Sequence, residues 1–491
     1  MIALTLAEIA EAVGGRTHRA DGSELVTGTV EFDSREIGPG GLFVAVPGER
    51  VDGHDFAGTA IQAGAVGVLA AREVDAPSVI VPPATEAHAG SVALAGDRDG
   101  SGAAVLAGLA ALARTVVDRL PKLSVIGVTG SSGKTSTKDL IAGLLQPMGP
   151  TVAPPGSFNN ELGHPWTVLR ADEATRHLVL ELSARGPGHI AALCRTAPPA
   201  IGVVINVGSA HLGEFGSREG IARTKGELVE ALPDIGLAVL NADDPVVAAM
   251  AVRTSARIVL VGEHPEAAIR AVDVTTDEHA RPAFTLVTPD GEAPVRLALH
   301  GRHHVGNALA AAAVALELGA TVPEVAERLS AATRVSARRM EVTTRPDGVT
   351  VINDSYNANP ESTRAALESL LAMARPGGCR SWAVLGLMGE LGEQTDAAHE
   401  DLGRFAVRLG VDRLVVVGDQ ARALHQGAGL AGSSGEGSVL VPDVDAAVEL
   451  LRAELEPRDV VLVKASKSEA LWRVADALLA EGGPGIAGDA G

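Results

Sequence analysis

"IGVTGSSGKTSTKDL", residues 126–140, runs an apolar, β-branched stretch into a Gly-Ser-Ser-Gly-Lys turn and then into a segment with helical spacing. Strand, small-residue loop and helix in that order suit a phosphate-gripping loop. Small residues let backbone N–H groups approach an anion, the helix start adds the positive end of its dipole, and the lysine adds a point charge. The glycines depart from the commonest form, Gly-x-x-x-x-Gly-Lys. Gly127 to Gly133 leaves five residues between them, and Gly130 to Gly133 leaves two. The reading that fits is a short loop from Gly130 to Gly133, with Gly127 inside the strand. Gly130, Ser131, Ser132 and Gly133 then offer backbone to a phosphate that Lys134 meets. Thr135 and Ser136 are the first hydroxyls of the helix, and Thr135 is placed to ligate a magnesium ion.

Working outward, the same strand–loop–helix rhythm repeats. "KLSVIGVTG", "HLVLELSA", "AIGVVINVG" and "GLAVLNADD" are short, unbroken apolar runs, as strands buried on both faces of a parallel sheet should be. "RPAFTLVTPDGEAPVRLAL" predicts an antiparallel hairpin around Asp290-Gly291, followed by the helix "VGNALAAAAVALELGA". Near residue 335 the rhythm restarts with "VTVINDSYNANP", "SWAVLGLMG", "DRLVVVGD" and "DVVLVKASKS", which predicts a second doubly wound sheet. Before residue 98, "ELVTGTVEFDS" and "GGLFVAVPG" alternate at strand period and "DFAGTAIQAGA" repeats at helical spacing. The turn-rich "ALAGDRDGSGA" marks a boundary there. The fold class expected is α/β in three domains. Residues 1–98 form a small mixed α/β N-terminal domain, 99–335 a central P-loop ATPase-like parallel sheet, and 336–491 a C-terminal Rossmann-like domain. The tail "AEGGPGIAGDAG" (480–491) has little to bury and reads as disordered.

Composition narrows the classes. At 491 residues the chain exceeds what one core serves. A formal charge of −20 argues against a protein that tracks a nucleic-acid backbone, which needs a basic face. The opening "MIALTLAEIAEAVGG" carries Glu8 and Glu11 and no basic n-region, so it reads as a capped amphipathic helix and not as a secretion signal. The apolar "AAVLAGLAALARTVVDRL" is interrupted by Arg114 and Asp118, so no membrane span is expected and the cytoplasm is the default location. Two cysteines, Cys194 and Cys379, lie far apart and read as buried thiols.

Read alone, the further polar positions stay ambiguous. Glu181 ends the strand after the P-loop helix, at the carboxyl edge where such sheets place ligands, yet an edge carboxylate facing solvent is as good a reading. His211 sits on a Gly-rich loop. Lys225, among Glu227 and Glu230, reads as a solvated helix lysine, and "DSRE" as an ordinary turn.

"TGSSGKTST", "FNNELGHP", "ELSARGPGHI", "NVGSAHLGEFGSREGIARTKGE" and "NDSYNANPES" occur in that order. Together they resemble the Mur ligase family over roughly residues 30–470. The family's short Thr-Gly-x-x-Gly-Lys-Thr/Ser loop accounts for the glycine spacing. Within the family, "YNANP" resembles the member that adds D-alanyl-D-alanine to UDP-N-acetylmuramoyl-tripeptide, a precursor step of peptidoglycan synthesis. The resemblance implies ATP, held by Lys134 and the loop amides, and two magnesium ions. Thr135 and Glu181 would hold the first ion. His211 and Lys225, the latter as a carbamate formed with carbon dioxide, would help hold the second. It implies adenine contact by Asn307. Arg339 and Asp354 would reach from the last domain toward the γ-phosphate and ribose. Ser34 and Arg35 would lie at the uridine nucleotide, with Asn159, Asn160, Asn357 and Asn359 at the peptide substrates. Lys134, Lys225, His211 and Arg339 form the implied catalytic set, and a monomer with no nucleic-acid or membrane partner is expected.

Two positions depart from the family pattern: His304, where an Asn is usual, and Leu387 in "LGLMGELG", where an Asp is usual. Other readings stay open. Another Mur-type or folylpolyglutamate-synthase-like ligase would share the central fold, although no pterin-region pattern is present. A P-loop kinase or motor NTPase would use the same loop without the dipeptide. A ligase-like amidotransferase subunit needs a cysteine-rich zinc insertion, which two distant cysteines cannot supply.

Overall fold

A computed structural model describes residues 1–48, 51–84, 94, 97–209, 212–432, 437–480 and 486–487. Three main sheets follow one another along the chain. The first has five strands in the spatial order Arg16–His18, Ser78–Ile80, Gly67–Ala70, Leu42–Val44, Val30–Glu31, all parallel except the first pair. The chain enters it through the helix Leu6–Ala12, whose cap Thr5 forms a capping box with Glu8, as the opening residues predict.

The middle sheet has nine strands. Seven are parallel and run Ile269–Thr276, Arg257–Gly262, Leu237–Asn241, Ile201–Val204, Ser124–Thr129, His177–Glu181, Thr151–Val152. The predicted hairpin, Pro282–Thr288 with Gly291–Arg296, continues one edge antiparallel, with Thr288 opposite Gly291. Ser124–Thr129 sits between His177–Glu181 and Ile201–Val204. The chain moves to one side of it and then the other, so the P-loop leaves the sheet at a topological switch point.

Gly127 and Gly202 lie side by side on adjacent strands. A Cβ on Gly127 would stand 3.0 Å from Leu228, and one on Gly202 would stand 3.2 Å from the same side chain. These two glycines let the helix Arg218–Glu230, which carries Lys225, press closely onto the sheet. Gly127 therefore belongs to the strand, as its place in the sequence predicts, and its function there is helix packing.

The last sheet runs Ser438–Val441, Arg413–Val417, Ser381–Leu385, Val460–Lys464, Thr350–Asn353, Glu341–Thr344, Ile486–Ala487. The first five strands are parallel, and the last two pairings in the order are antiparallel. The strands Glu341–Thr344 and Ser438–Val441 were not legible as apolar runs. Ile486–Ala487 corrects the expectation of a disordered tail over those two residues, because backbone pairing with Thr343 and Thr344 needs no apolar side chain; residues 481–485 and 488–491 lie outside the described set.

The helix Ser101–Asp118, interrupted by Arg114 as the sequence shows, has the length and composition of a membrane span but is mostly buried in the protein. Its Val105, Leu109, Leu112 and Val116 are buried in one apolar cluster. That cluster extends from Ile2, Leu4 and Leu69 of the first unit to Leu178, Leu228 and Ala256 of the middle one. Cys194 is buried, with its thiol pushed up to about 12 by burial, and Cys379 is half-buried; both are free.

Candidate active site

The carboxyl ends of the middle and last sheets face a common cavity of about 570 Å³. The middle unit contributes Ser131 to Ser136, Asn159, Asn160, Glu181 and Asn307, and the last unit Arg339, Asp354, Asn357 and Asn359. Most of the residues singled out in the sequence therefore meet here, although more than 200 positions separate Thr135 from Arg339.

The loop itself ends at Gly133, whose φ of +81° is a conformation that side chains disfavour. A Cβ there would stand 2.8 Å from Asn307 Oδ1. From Gly133 the helix Lys134–Leu145 begins. Lys134 Nζ folds back to donate to the Gly130 carbonyl at 2.8 Å. Burial lowers its pKa, against the opposing pull of Glu181. Thr135 Oγ1 donates to Glu181 Oε2 at 2.9 Å, and Asn159 Nδ2 donates to Glu181 Oε1 at 2.6 Å. Glu181 is 2% exposed, so the solvent-facing alternative is excluded by its burial beside the loop. A hydroxyl and a carboxylate set side by side at the phosphate loop suit a hard cation's oxygen donors. Among the described residues no cluster of three or more His, Cys, Asp or Glu side chains forms a ready-made metal cage.

Lys225 overturns the solvated-lysine reading. It is 5% exposed, and no hydrogen bond or ion pair to it is found among the described residues. Burial, and secondarily the charge of Lys134, hold its amine well below the ordinary lysine range. It is not among the residues lining the cavity. His211 lies outside the described residues.

From the last unit, Arg339 Nη2 donates to Thr135 Oγ1 at 3.1 Å, while its buried Nε has no partner among the described residues. Asp354 arrives already paired: Lys464 Nζ donates to its Oδ2 at 2.6 Å, and the Met340 amide donates to its Oδ1. Asn359 caps the helix Pro360–Ala374 by accepting from the Ser362 amide, and Asn160 accepts from the Gly163 amide. These asparagines, and Asn159 on Glu181, thus shape the wall through their own hydrogen bonds. Asn357 accepts from the Ala358 amide, and its carbonyl accepts from Lys464.

The rings of His303 and His304 lie 4.3 Å apart at the cavity edge. Burial lowers both pKa values, that of His304 well below the usual range, so the departure at 304 places a neutral imidazole there. Asn307 Nδ2 lies 3.4 Å from His304 Nδ1. At the other departure, Leu387 uses only its backbone, its carbonyl accepting from the Ser466 amide.

Ser34 and Arg35 are not in the cavity wall. The Arg35 side chain is 85% exposed and forks onto Asp33, whose carboxyl it holds down to about 2. An aromatic trio ties that turn to the cavity. Phe32 packs on Phe158 and Trp166, the latter two with centroids 4.7 Å apart, and Trp166 Nε1 donates to Glu31. Phe158 immediately precedes Asn159 and Asn160.

The sequence reading missed Asn206. Its Oδ1 accepts the Ser131 amide at 2.9 Å and the Ser132 amide at 3.0 Å, and its Nδ2 donates to the Ser132 carbonyl at 3.2 Å. The legible signal was a polar residue just beyond the apolar end of Ile201–Val204, a neighbour of the P-loop strand. Lys464, at the end of its strand, carried the same signal.

Three family models match the chain: Mur ligase family, catalytic domain, over residues 27–113; Mur ligase middle domain over 128–315; and Mur ligase, glutamate ligase domain over 338–467. The UDP-N-acetylmuramoyl-tripeptide–D-alanyl-D-alanine ligase of Mycobacterium tuberculosis is 58% identical over 98% of both chains. The enzyme of that name from Escherichia coli is 34% identical over 98% of this chain and all of its own. Among solved structures, MurF from Acinetobacter baumannii superposes with a TM-score of 0.84 at 28% identity, covering 97% of this chain and 99% of its own. MurF ligase from Thermotoga maritima in complex with ADP gives a TM-score of 0.77 at 30% identity, covering 93% and 98%.

Proposed function

The chain belongs to the Mur ligase family, and we propose from this premise that it joins D-alanyl-D-alanine to UDP-N-acetylmuramoyl-tripeptide at the expense of ATP. The observation that carries this reading is the single cavity in which the P-loop of the middle sheet meets Arg339 and the 354–359 turn of the last sheet. A phosphate donor and a second substrate held by different sheets there meet at one point.

Condensing a carboxylate with an amine in water requires activation of the carboxylate. An oxygen of the tripeptide's terminal carboxylate attacks the γ-phosphorus of ATP, the bond to the ADP oxygen breaks, and an acyl phosphate forms. The amine nitrogen of D-alanyl-D-alanine then attacks the acyl carbon. Phosphate leaves with the C–O bonding pair, and the amine proton passes to water or a base. Such chemistry needs positioning and charge neutralisation more than a protein nucleophile. Lys134, the loop amides and the Arg339 guanidinium in the cavity wall would supply donors for the transferring group. Closure of the facing sheets over the cavity would protect the acyl phosphate from water.

Thr135 and Glu181 are the residues that would hold a magnesium ion, which when bound neutralises phosphate charge. Lys225 is the candidate for carbamylation and, with His211, for a second magnesium ion. A buried amine held neutral is the form that adds carbon dioxide, and the resulting anion would stand where Lys225 has no partner among the described residues. Asn307 would face adenine and Asp354 the ribose. Residues 1–98, with Ser34 and Arg35, would take the uridine nucleotide, 99–335 ATP, and 336–491 the dipeptide. We place the protein in the cytoplasm as a monomer.

The test is phosphate release from ATP. It is expected only when both UDP-N-acetylmuramoyl-tripeptide and D-alanyl-D-alanine are present, and equal release without the dipeptide would sink the ligase reading.

A further inference from the structure

Tyr356, the chain's only tyrosine, has no part in the chemistry above, yet it touches both sides of the cavity. Its hydroxyl is hydrogen-bonded to Ser157 Oγ, on the opposite unit. Ser157 is itself anchored to the P-loop helix. Lys138, on that helix, donates to the carbonyls of Pro154 and Gly156 at 2.8 and 3.2 Å, fixing the residues that lead into Ser157. The other side of Tyr356 is its ring, over which the Arg339 guanidinium lies 4.1 Å from the centroid. That guanidinium donates to Thr135, again on the P-loop helix, and its buried Nε has no partner among the described residues.

We infer that Tyr356 is a positioning residue. Bonded to Ser157 and stacked against Arg339, it holds the guanidinium at Thr135 in the cavity wall, so that Arg339 is in place only when the last sheet is docked on the P-loop helix. A cation over an aromatic face is attracted without consuming a hydrogen-bond donor, which leaves the arginine's N–H groups for Thr135 and for a phosphate. The inference rests on the ligase reading of the cavity.

Its test separates binding from turnover. Tyr356→Leu removes ring and hydroxyl, and is expected to lower kcat about ten-fold or more while the KM for ATP stays within about three-fold, because Lys134 and the loop still bind nucleotide. Tyr356→Phe and Ser157→Ala each remove only the shared hydrogen bond. Both should lower kcat by a similar, smaller factor, and the double variant should be no slower than either single one. A single tyrosine also gives a single ¹⁹F resonance after 3-fluorotyrosine incorporation, expected to shift in Ser157→Ala and in Arg339→Ala with no substrate present. Retention of kcat within about two-fold by Tyr356→Leu, multiplying losses in the hydroxyl pair, or an unmoved resonance would each overturn the inference. Should Tyr356→Leu fail to fold, the hydroxyl pair and the resonance decide. If the unaltered protein releases phosphate without the dipeptide, the ligase reading falls, while the resonance still reports on the latch.

Discussion

The side-chain oxygen of Asn206 stands 2.9 Å from the amide nitrogen of Ser131 and so occupies, from the neighbouring strand, part of the donor set a phosphate loop offers. Asn206→Ala removes the partner of two loop amides and is expected to raise the KM for ATP about ten-fold, the scale of one or two lost hydrogen bonds. Asn206→Asp, which keeps the acceptor but adds an anion beside the phosphates, should raise it further. Nucleotide titration of the steady-state rate checks both.

Glu181 accepts from Thr135 and Asn159 and touches no described cation at bonding distance. Glu181→Gln preserves shape and much of the bonding while removing charge. The expected loss is about 10²–10³ in kcat, the scale of one deleted transition-state electrostatic group, with unfolding temperature undiminished. A magnesium titration that saturates at higher concentration in the variant would identify the lost charge as a cation ligand; an unchanged magnesium dependence would refute that assignment.

Lys225 couples stability to pH. Its folded pKa lies well below the ordinary value of 10.5, so between the two the unfolded chain binds the extra proton. Stability therefore rises with pH through that window, and the destabilisation is fully present below the folded pKa. In buffer free of carbon dioxide, Lys225→Met should raise the unfolding midpoint more at pH 6 than at pH 9. With ¹³C-labelled bicarbonate, the unaltered protein should show one carbamate resonance that this variant lacks, and the variant should lose most activity with no recovery on adding bicarbonate.

Arg35 is exposed and, among the described residues, bound only to its neighbour Asp33. If the turn receives the uridine nucleotide, Arg35→Ala should raise the KM for UDP-N-acetylmuramoyl-tripeptide about ten-fold, as loss of a charge-assisted contact implies. The KM for ATP and the unfolding temperature should not move. An unchanged tripeptide KM would return this pair to an ordinary turn.

How far each feature was legible follows from how local its cause is. The P-loop, the capped first helix and the Asp290-Gly291 hairpin are written in consecutive residues, and they form where expected. The exposure of Lys225 was not, because its burial is decided by Gly127 and Gly202 on two distant strands that admit its helix. Asn359 looked like a substrate ligand and caps a helix, a competing use of the same side chain that only the helix start at Pro360 reveals. Glu341–Thr344 was missed because it is half-exposed and short of the apolar pattern that marked its neighbours.

The helix Ser101–Asp118 buries its apolar side in a cluster shared by the first and middle sheets. Each of those units also has a buried cluster of its own, around Phe43 and Val68 in the first and around Ile126 and Leu309 in the middle, so the shared cluster is the face across which loosening of one unit is felt by the other. Severing the chain at residue 98, which looks in the sequence like a natural seam, would leave a sticky face on each fragment.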